Sequence, residues 1–95
     1  MGKHTRLTDA EVASGLAALP GWSREGDTLR RTFTFAGFPA AVEFIQGLVV
    51  PAEALDHHPD VDLRFNKVIV SLSTHSAGGI TAMDVELAGR ISKHG

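Results

Sequence analysis

From Thr28 to Phe35, and again from Val68 to Thr74, apolar and polar residues alternate, and one apolar stripe at helical spacing separates the two stretches. In the first, Leu29, Phe33 and Phe35 share one parity while Thr28, Arg30, Thr32 and Thr34 take the other. That is the pattern of a strand buried on one face only. In the second, Val68, Val70 and Leu72 form the apolar face, and Ser71, Ser73 and His75 share the opposite parity. His75 is therefore expected on the more polar side of the sheet, away from whatever covers it. The cover is the stretch between them. Phe38, Ala41, Val42, Ile45, Leu48, Val49, Ala52 and Leu55 make an amphipathic helix from Gly37 to about Asp56. Pro51 lies inside it, removing a backbone donor and clashing with the preceding turn, which predicts a kink or break near Gly47 to Pro51.

The remaining elements follow from local signals. Thr8-Asp9-Ala10-Glu11 has the form of a capping box, Val12, Leu16 and Leu19 recur at helical spacing, and Pro20-Gly21 stops that helix near Ala18. Trp22 to Glu25 reads as a short strand and Gly26-Asp27 as a turn into the next. After Pro59, Val61, Leu63 and Phe65 alternate with polar residues up to a turn at Asn66-Lys67. Gly78-Gly79 turns the chain into a last helix opened by Thr81-Ala82-Met83-Asp84, with Val85, Ala88 and Ile91 inward. The order α-β-β-α-β-β-α predicts an α+β fold, a four-stranded antiparallel sheet with helices packed on one face.

At 95 residues the chain is expected to form a single domain over residues 1–95. A core of that size is adequate rather than generous, so association with a second copy would help. With 43% hydrophobic and 21% charged residues the composition lies far from that of disordered chains. The net charge of −2 and the lack of a lysine or arginine stripe argue against nucleic acid as a partner. The absence of cysteine excludes disulfides, thiolate zinc sites and iron–sulfur clusters. No apolar run is expected to span a membrane and the N-terminus lacks a signal-peptide pattern, so the expected location is cytoplasmic.

Five histidines stand out in so short a chain. His4 and His94 lie near the ends and are expected to be solvated. His57 and His58 close the long helix, and His75 ends the best strand. A helix C-terminus favours a protonated imidazole by about 0.3–1 kcal/mol when exposed, and Glu53 and Asp56 add negative charge nearby. One of the pair is thus suited to donate a proton near neutral pH. Pro59 pushes His58 toward an extended conformation, so the neighbouring rings should diverge. Three readings stay open on chemistry alone: an acid–base site, a plain helix cap with a polar strand end, and a three-histidine metal site. The metal reading lacks a His-Glu-x-x-His run or an i,i+4 histidine pair.

Glu53-x-x-x-His57-His58-Pro59, then Asn66-Lys67-Val68 and Leu72-Ser73-Thr74-His75, then Gly79-Ile80-Thr81 and Asp84, resemble in order and spacing the signature of pterin-4a-carbinolamine dehydratases. Arg6-Leu7-Thr8, Gly21-Trp22 and Phe33 to Phe44 extend the likeness over nearly the whole chain. The resemblance implies the same α-β-β-α-β-β-α fold, assembly as a homodimer or tetramer, and removal of water from a 4a-hydroxytetrahydropterin to give the quinonoid dihydropterin. It implies a pterin substrate and neither metal nor bound cofactor. Carried over residue by residue, His57, His58 and His75 are the catalytic set, with Glu53, Asp56, Thr74, Asp84 and Trp22 around the substrate. Glu53 and Asp84 would orient imidazoles or bond the pterin's amide edge, and Trp22 would line the pocket or serve as a core aromatic. Some relatives instead act as partners that stabilise another protein's assembly, which makes a partner-binding scaffold the alternative. Pro51, Val61 and Phe65 depart from the family's pattern: an unusual proline in the helix that delivers His57 and His58, a valine where an aromatic is frequent, and a phenylalanine where tyrosine is.

Overall fold

The computed structural model describes residues 4–94. Helix α1 (Asp9–Leu16) opens on the capping box: Thr8 Oγ1 accepts from Glu11 N at 3.2 Å, and Thr8 N donates to Glu11 Oε1 at 2.8 Å. Strands β1 (Ser23–Glu25) and β2 (Thr28–Thr34) form the first hairpin, and β3 (Asp60–Arg64) and β4 (Lys67–Leu72) the second. All pairings are antiparallel and the sheet order is β1-β2-β4-β3, so the two hairpins meet at β2 and β4. The α+β fold with its four-stranded antiparallel sheet is the one the alternation predicts.

Register places Leu29 opposite Leu72 and Phe33 opposite Val68, and with Val70 these residues are buried beneath the helices. The same parity brings Arg31 inward. Its guanidinium lies 4.3 Å from the centre of the Phe33 ring and donates to Pro20 O at 3.2 Å, so its stem covers apolar surface while its head reaches polar atoms. The open face carries the other row, in which Arg30, Ser71 and Asp60 stand side by side across three strands.

The helical cover is broken where the proline suggests. Helix α2 (Phe38–Gly47) and helix α3 (Val49–Leu55) meet at Leu48, whose N–H reaches Ile45 O at 3.0 Å in a tighter turn. Pro51 is the third residue of α3, where a backbone N–H has no intrahelical partner in any case, so the break one turn upstream relieves the lost bond. The buried stripe is Ala41, Phe44, Leu48 and Ala52. Two residues assigned to it from spacing lie outside: Phe38 is 49% exposed and Val49 59%. Both stand on the flank of the stripe, beside the half-buried Val42 and Ile45, so the buried line is narrower than the spacing suggests. Phe38–Leu55 is also apolar enough over 18 residues to pass for a membrane span, contrary to expectation, but its buried stripe is packed into the core against the sheet.

Two turns differ from expectation. The β3–β4 turn is Phe65-Asn66, one residue early, because Asn66 ties it to the end of β2: Asn66 Nδ2 donates to Phe35 O, and Phe35 N to Asn66 O, each at 2.9 Å. Phe65 is consequently an exposed turn residue at φ 53° rather than the end of a strand. Strand β4 stops at Leu72, and His75 begins a single 3-10 turn, His75–Ala77, after the bridge from Thr74 to Gly79.

Helix α4 (Ala82–His94) completes the cover through Met83, Leu87, Ala88 and Ile91. Its far end is locked down. Ser92 Oγ accepts from Trp22 Nε1 at 2.8 Å, and His94, exposed as expected, has its ring centre 5.3 Å from that of Phe44 in a stacked contact and donates from Nε2 to Phe44 O at 3.2 Å. Gly47 permits this approach, since a Cβ there would overlap the His94 ring.

Candidate active site

The end of α3 positions two of the histidines. Asp56 adopts the left-handed conformation (φ 48°, ψ 46°), and its N–H bonds Glu53 O while His57 N bonds Ala52 O at 3.0 Å. These are the two bonds of a Schellman ending. The helix thus stops at Leu55, and His57 and His58 lie beyond it rather than capping its carbonyls with their rings. Left-handed backbone at a residue other than glycine costs roughly 1 kcal/mol. Here it turns the chain so that the two imidazoles diverge.

They diverge onto different carboxylates. His57 Nε2 lies 2.5 Å from Asp84 Oδ1, on the first turn of α4, with the His57 side chain 11% exposed and Asp84 fully buried. His58 Nε2 lies 2.5 Å from Glu53 Oε2, one turn back along α3, with side chains 60% and 67% exposed. Asp84 has further partners. Its Oδ2 accepts from Thr74 Oγ1 at 2.8 Å and from Thr81 N at 2.9 Å. Thr74 Oγ1 is also 2.8 Å from Thr81 Oγ1, which in turn accepts from Met83 N at 3.2 Å. Among the described residues no buried side-chain nitrogen or oxygen is left without a partner.

His57, His58 and His75 open onto one cleft of about 360 Å³, shared with Asp56 and Thr74. At His75 and Asp60 the cleft continues onto the open face of the sheet, where a hollow of about 400 Å³ runs past Ser71 and Arg30. The residues singled out from the sequence therefore separate into three groups. Asp56, His57, His58, Thr74 and His75 line the cleft. Glu53 and Asp84 stand behind His58 and His57 as their hydrogen-bond partners. Trp22 is not brought to the cleft: it is a buried core residue, edge-on to Phe33 at 6.2 Å, with its N–H spent on Ser92. Phe65, at the hairpin tip, does not line the cleft either. Residues not anticipated are His4, Asp60, Ser73 and Ser76 on the lining and Thr81 behind it. Ser73 shares the parity of Ser71 and His75, and Thr81 opens the run Thr81-Ala82-Met83-Asp84, signals the sequence does carry; nothing local marks His4.

The chemistry open to this arrangement is proton transfer. Each of two imidazoles is held by a carboxylate at one nitrogen, which leaves the other nitrogen to exchange a proton with a ligand. A metal is not suggested by the donor set: among the described residues no three histidine or carboxylate side chains converge on one point.

Comparison with known proteins decides the family. The sequence profile described as "Pterin 4 alpha carbinolamine dehydratase" matches residues 5–94. The chain belongs to the pterin-4a-carbinolamine dehydratase family. It is 49% identical over 85 residues to a protein of Picosynechococcus provisionally named as such a dehydratase, covering 90% of this chain and 92% of the relative. A relative in Mycobacteroides abscessus, of the same provisional name, is 50% identical over 82 residues, with 86% and 87% covered. Among solved structures, a Brucella melitensis protein described as a transcriptional coactivator/pterin dehydratase superposes with a TM-score of 0.90 at 36% identity, covering 95% of this chain and 98% of that one. A pterin dehydratase-like protein identified as a RuBisCO assembly factor in the alpha-carboxysome shares the fold at a TM-score of 0.61 and 18% identity, covering 77% and 84%.

Proposed function

We propose that this protein dehydrates a 4a-hydroxytetrahydropterin to the quinonoid dihydropterin, in the cytoplasm, as a step in tetrahydropterin recycling. The observation that carries the reading is the convergence of His57, His58 and His75 on one cleft in a chain of this family, two of them backed by carboxylates. In the reaction the C4a–O bond breaks as a proton reaches the departing hydroxyl. The N5–H proton is removed, the C4a=N5 bond forms, and water leaves. His57 and His75 act as acids toward the hydroxyl. His58, with Glu53 accepting from one ring nitrogen, takes the N5 proton at the other. Such proton transfers by positioned side chains contribute about 10²–10⁴-fold each. No metal or bound cofactor is called for. The hollow beyond His75 offers room for the substituent of the pterin ring.

Self-association belongs to the same proposal. Phe38, Val42, Ile45 and Val49 recur at spacings of four, three and four along α2 and into α3, and none of them is fully buried. A stripe of that period suits packing against another helix, and we assign it to a homodimer or tetramer. The same stripe would serve a foreign protein if the chain were a partner-binding scaffold.

The test follows the decay of freshly generated 4a-hydroxytetrahydropterin by absorbance, with wild type and with His57→Ala, His58→Ala and His75→Ala. The expected result is acceleration by wild type and a loss of about 10²-fold or more in each variant. Retention of full activity in His58→Ala alone would remove it from the base role. A folded wild type that leaves the buffer rate unchanged would overturn the enzymatic reading in favour of the scaffold.

A further inference from the structure

We propose that Asp84 and Thr74 act on the reaction through His57, holding its Nε2 proton permanently so that Nδ1 is the atom that exchanges a proton with substrate. The inference rests on the dehydratase reading for its meaning, though its geometry stands apart from any activity.

The direction of the buried hydrogen bonds carries it. Backbone N–H groups can only donate, and two of them anchor the network. Thr81 N donates to Asp84 Oδ2, and Met83 N donates to Thr81 Oγ1. Thr74 has one hydroxyl proton, which goes to Asp84 Oδ2. The short Thr74–Thr81 hydroxyl contact must then be filled by the Thr81 proton, so the chain runs one way: Met83 N–H to Thr81, Thr81 O–H to Thr74, Thr74 O–H to Asp84. Two donors on Oδ2 suit an ionised carboxylate, an acceptor at both oxygens. The remaining oxygen, Oδ1, faces His57 Nε2 and requires a proton there. Nδ1 is the ring nitrogen left for the cleft.

In the neutral ring Nδ1 presents a lone pair; in the charged ring it carries the mobile proton. Delivery of that proton to the C4a hydroxyl, which leaves as water, returns His57 to the neutral form with Nε2–H still on Asp84. Of the two roles open to Asp84 from sequence, orienting an imidazole or bonding the pterin, this account takes the first, and Thr74 becomes a positioning residue with it. Thr81, which carried no assignment, fixes the direction in which Thr74 donates.

The network makes one substitution diagnostic. In Asp84→Asn, the Thr74 hydroxyl and the Thr81 N–H still demand an acceptor at the Oδ2 position, so the amide oxygen must sit there. The amide NH₂ then faces His57 Nε2, which can meet it only as an acceptor. The neutral ring is forced to the other tautomer, with its proton on Nδ1. The experiment is nitrogen-15 NMR of ring-labelled histidine in the intact, ligand-free protein, at a pH where the ring is neutral. We expect the His57 proton on Nε2 in wild type and on Nδ1 in Asp84→Asn, with His58 and His75 unchanged. In the dehydration assay the same variant should lose about 10²-fold in rate. A neutral wild-type ring protonated at Nδ1 would overturn the proposal without any variant being needed. So would Asp84→Asn keeping the wild-type tautomer while folded. If the tautomers behave as stated but wild type accelerates nothing, the dehydratase reading fails and the positioning network stands.

Discussion

His57 and His58 are neighbours in sequence, and each nitrogen–oxygen distance to its carboxylate is 2.5 Å, yet the two pairs are physically different objects. The His58–Glu53 pair is more than half exposed on both sides, spans one helical turn, and sits in water that can replace either partner. Pairs of that kind contribute from nothing to about 1 kcal/mol and weaken with salt. The His57–Asp84 pair joins residues 27 apart in sequence, is almost fully desolvated, and is tied to two threonines and a helix N-terminus. There the low local polarisability strengthens each bond and makes any lost partner costly. Equal lengths therefore mark a replaceable contact in one case and a structural commitment in the other. The exposed imidazole is free to move with a ligand; the buried one is held in place before a ligand arrives.

Three changes would break or sharpen this contrast. Asp84→Ala strands the Thr74 hydroxyl, the Thr81 N–H and His57 Nε2 in a dry site, and should lower unfolding free energy by about 3 kcal/mol or more in urea denaturation. A loss below about 1 kcal/mol would mean the network is no tighter than the surface pair. Glu53→Ala should cost less than about 1 kcal/mol, and its cost should shrink further at high salt, whereas that of Asp84→Ala should not. The smallest effect belongs to the left-handed residue just before the two histidines. Asp56→Gly removes the left-handed strain and should raise stability by about 0.5 kcal/mol, offset by the greater freedom of glycine when unfolded. A marked fall instead would show that the Asp56 side chain holds the His57–His58 divergence, and dehydration rates would report which ring moved.

Much of this site was legible before any coordinates. The alternation of Val68, Val70 and Leu72 against Ser71, Ser73 and His75 put His75 on the open face, and Pro59 after His58 signalled that the rings part. These are local consequences of periodicity and of one fixed dihedral. What stayed hidden depends on contacts between distant residues. That Asp84 meets His57, 27 residues away, follows from how α4 lies against the end of α3, which no window of neighbouring residues encodes. The turn moved to Phe65-Asn66 because Asn66 bonds Phe35 in another strand. Trp22 drew notice for its type, but its position beside Phe33 and Ser92 makes it a core residue. Phe38 and Val49 were misassigned because the apolar stripe is wider than the line that packs inward, Ala41, Phe44, Leu48 and Ala52.

The clasp of His94 on Phe44, with Trp22 on Ser92, bears on how the protein comes into being on the ribosome. Both hairpins and the two middle helices are translated before α4, yet the apolar face of the sheet gains its full cover only when α4 arrives. Until α4 has emerged, the newly made chain carries His57 and His58 beyond the end of α3 with nothing yet to hold the His57 ring. His57 in that interval has no Asp84 to meet. The tautomer can accordingly be fixed only once α4 has been made, and a ribosome stalled before α4 would hold a chain with its proton donor unaligned.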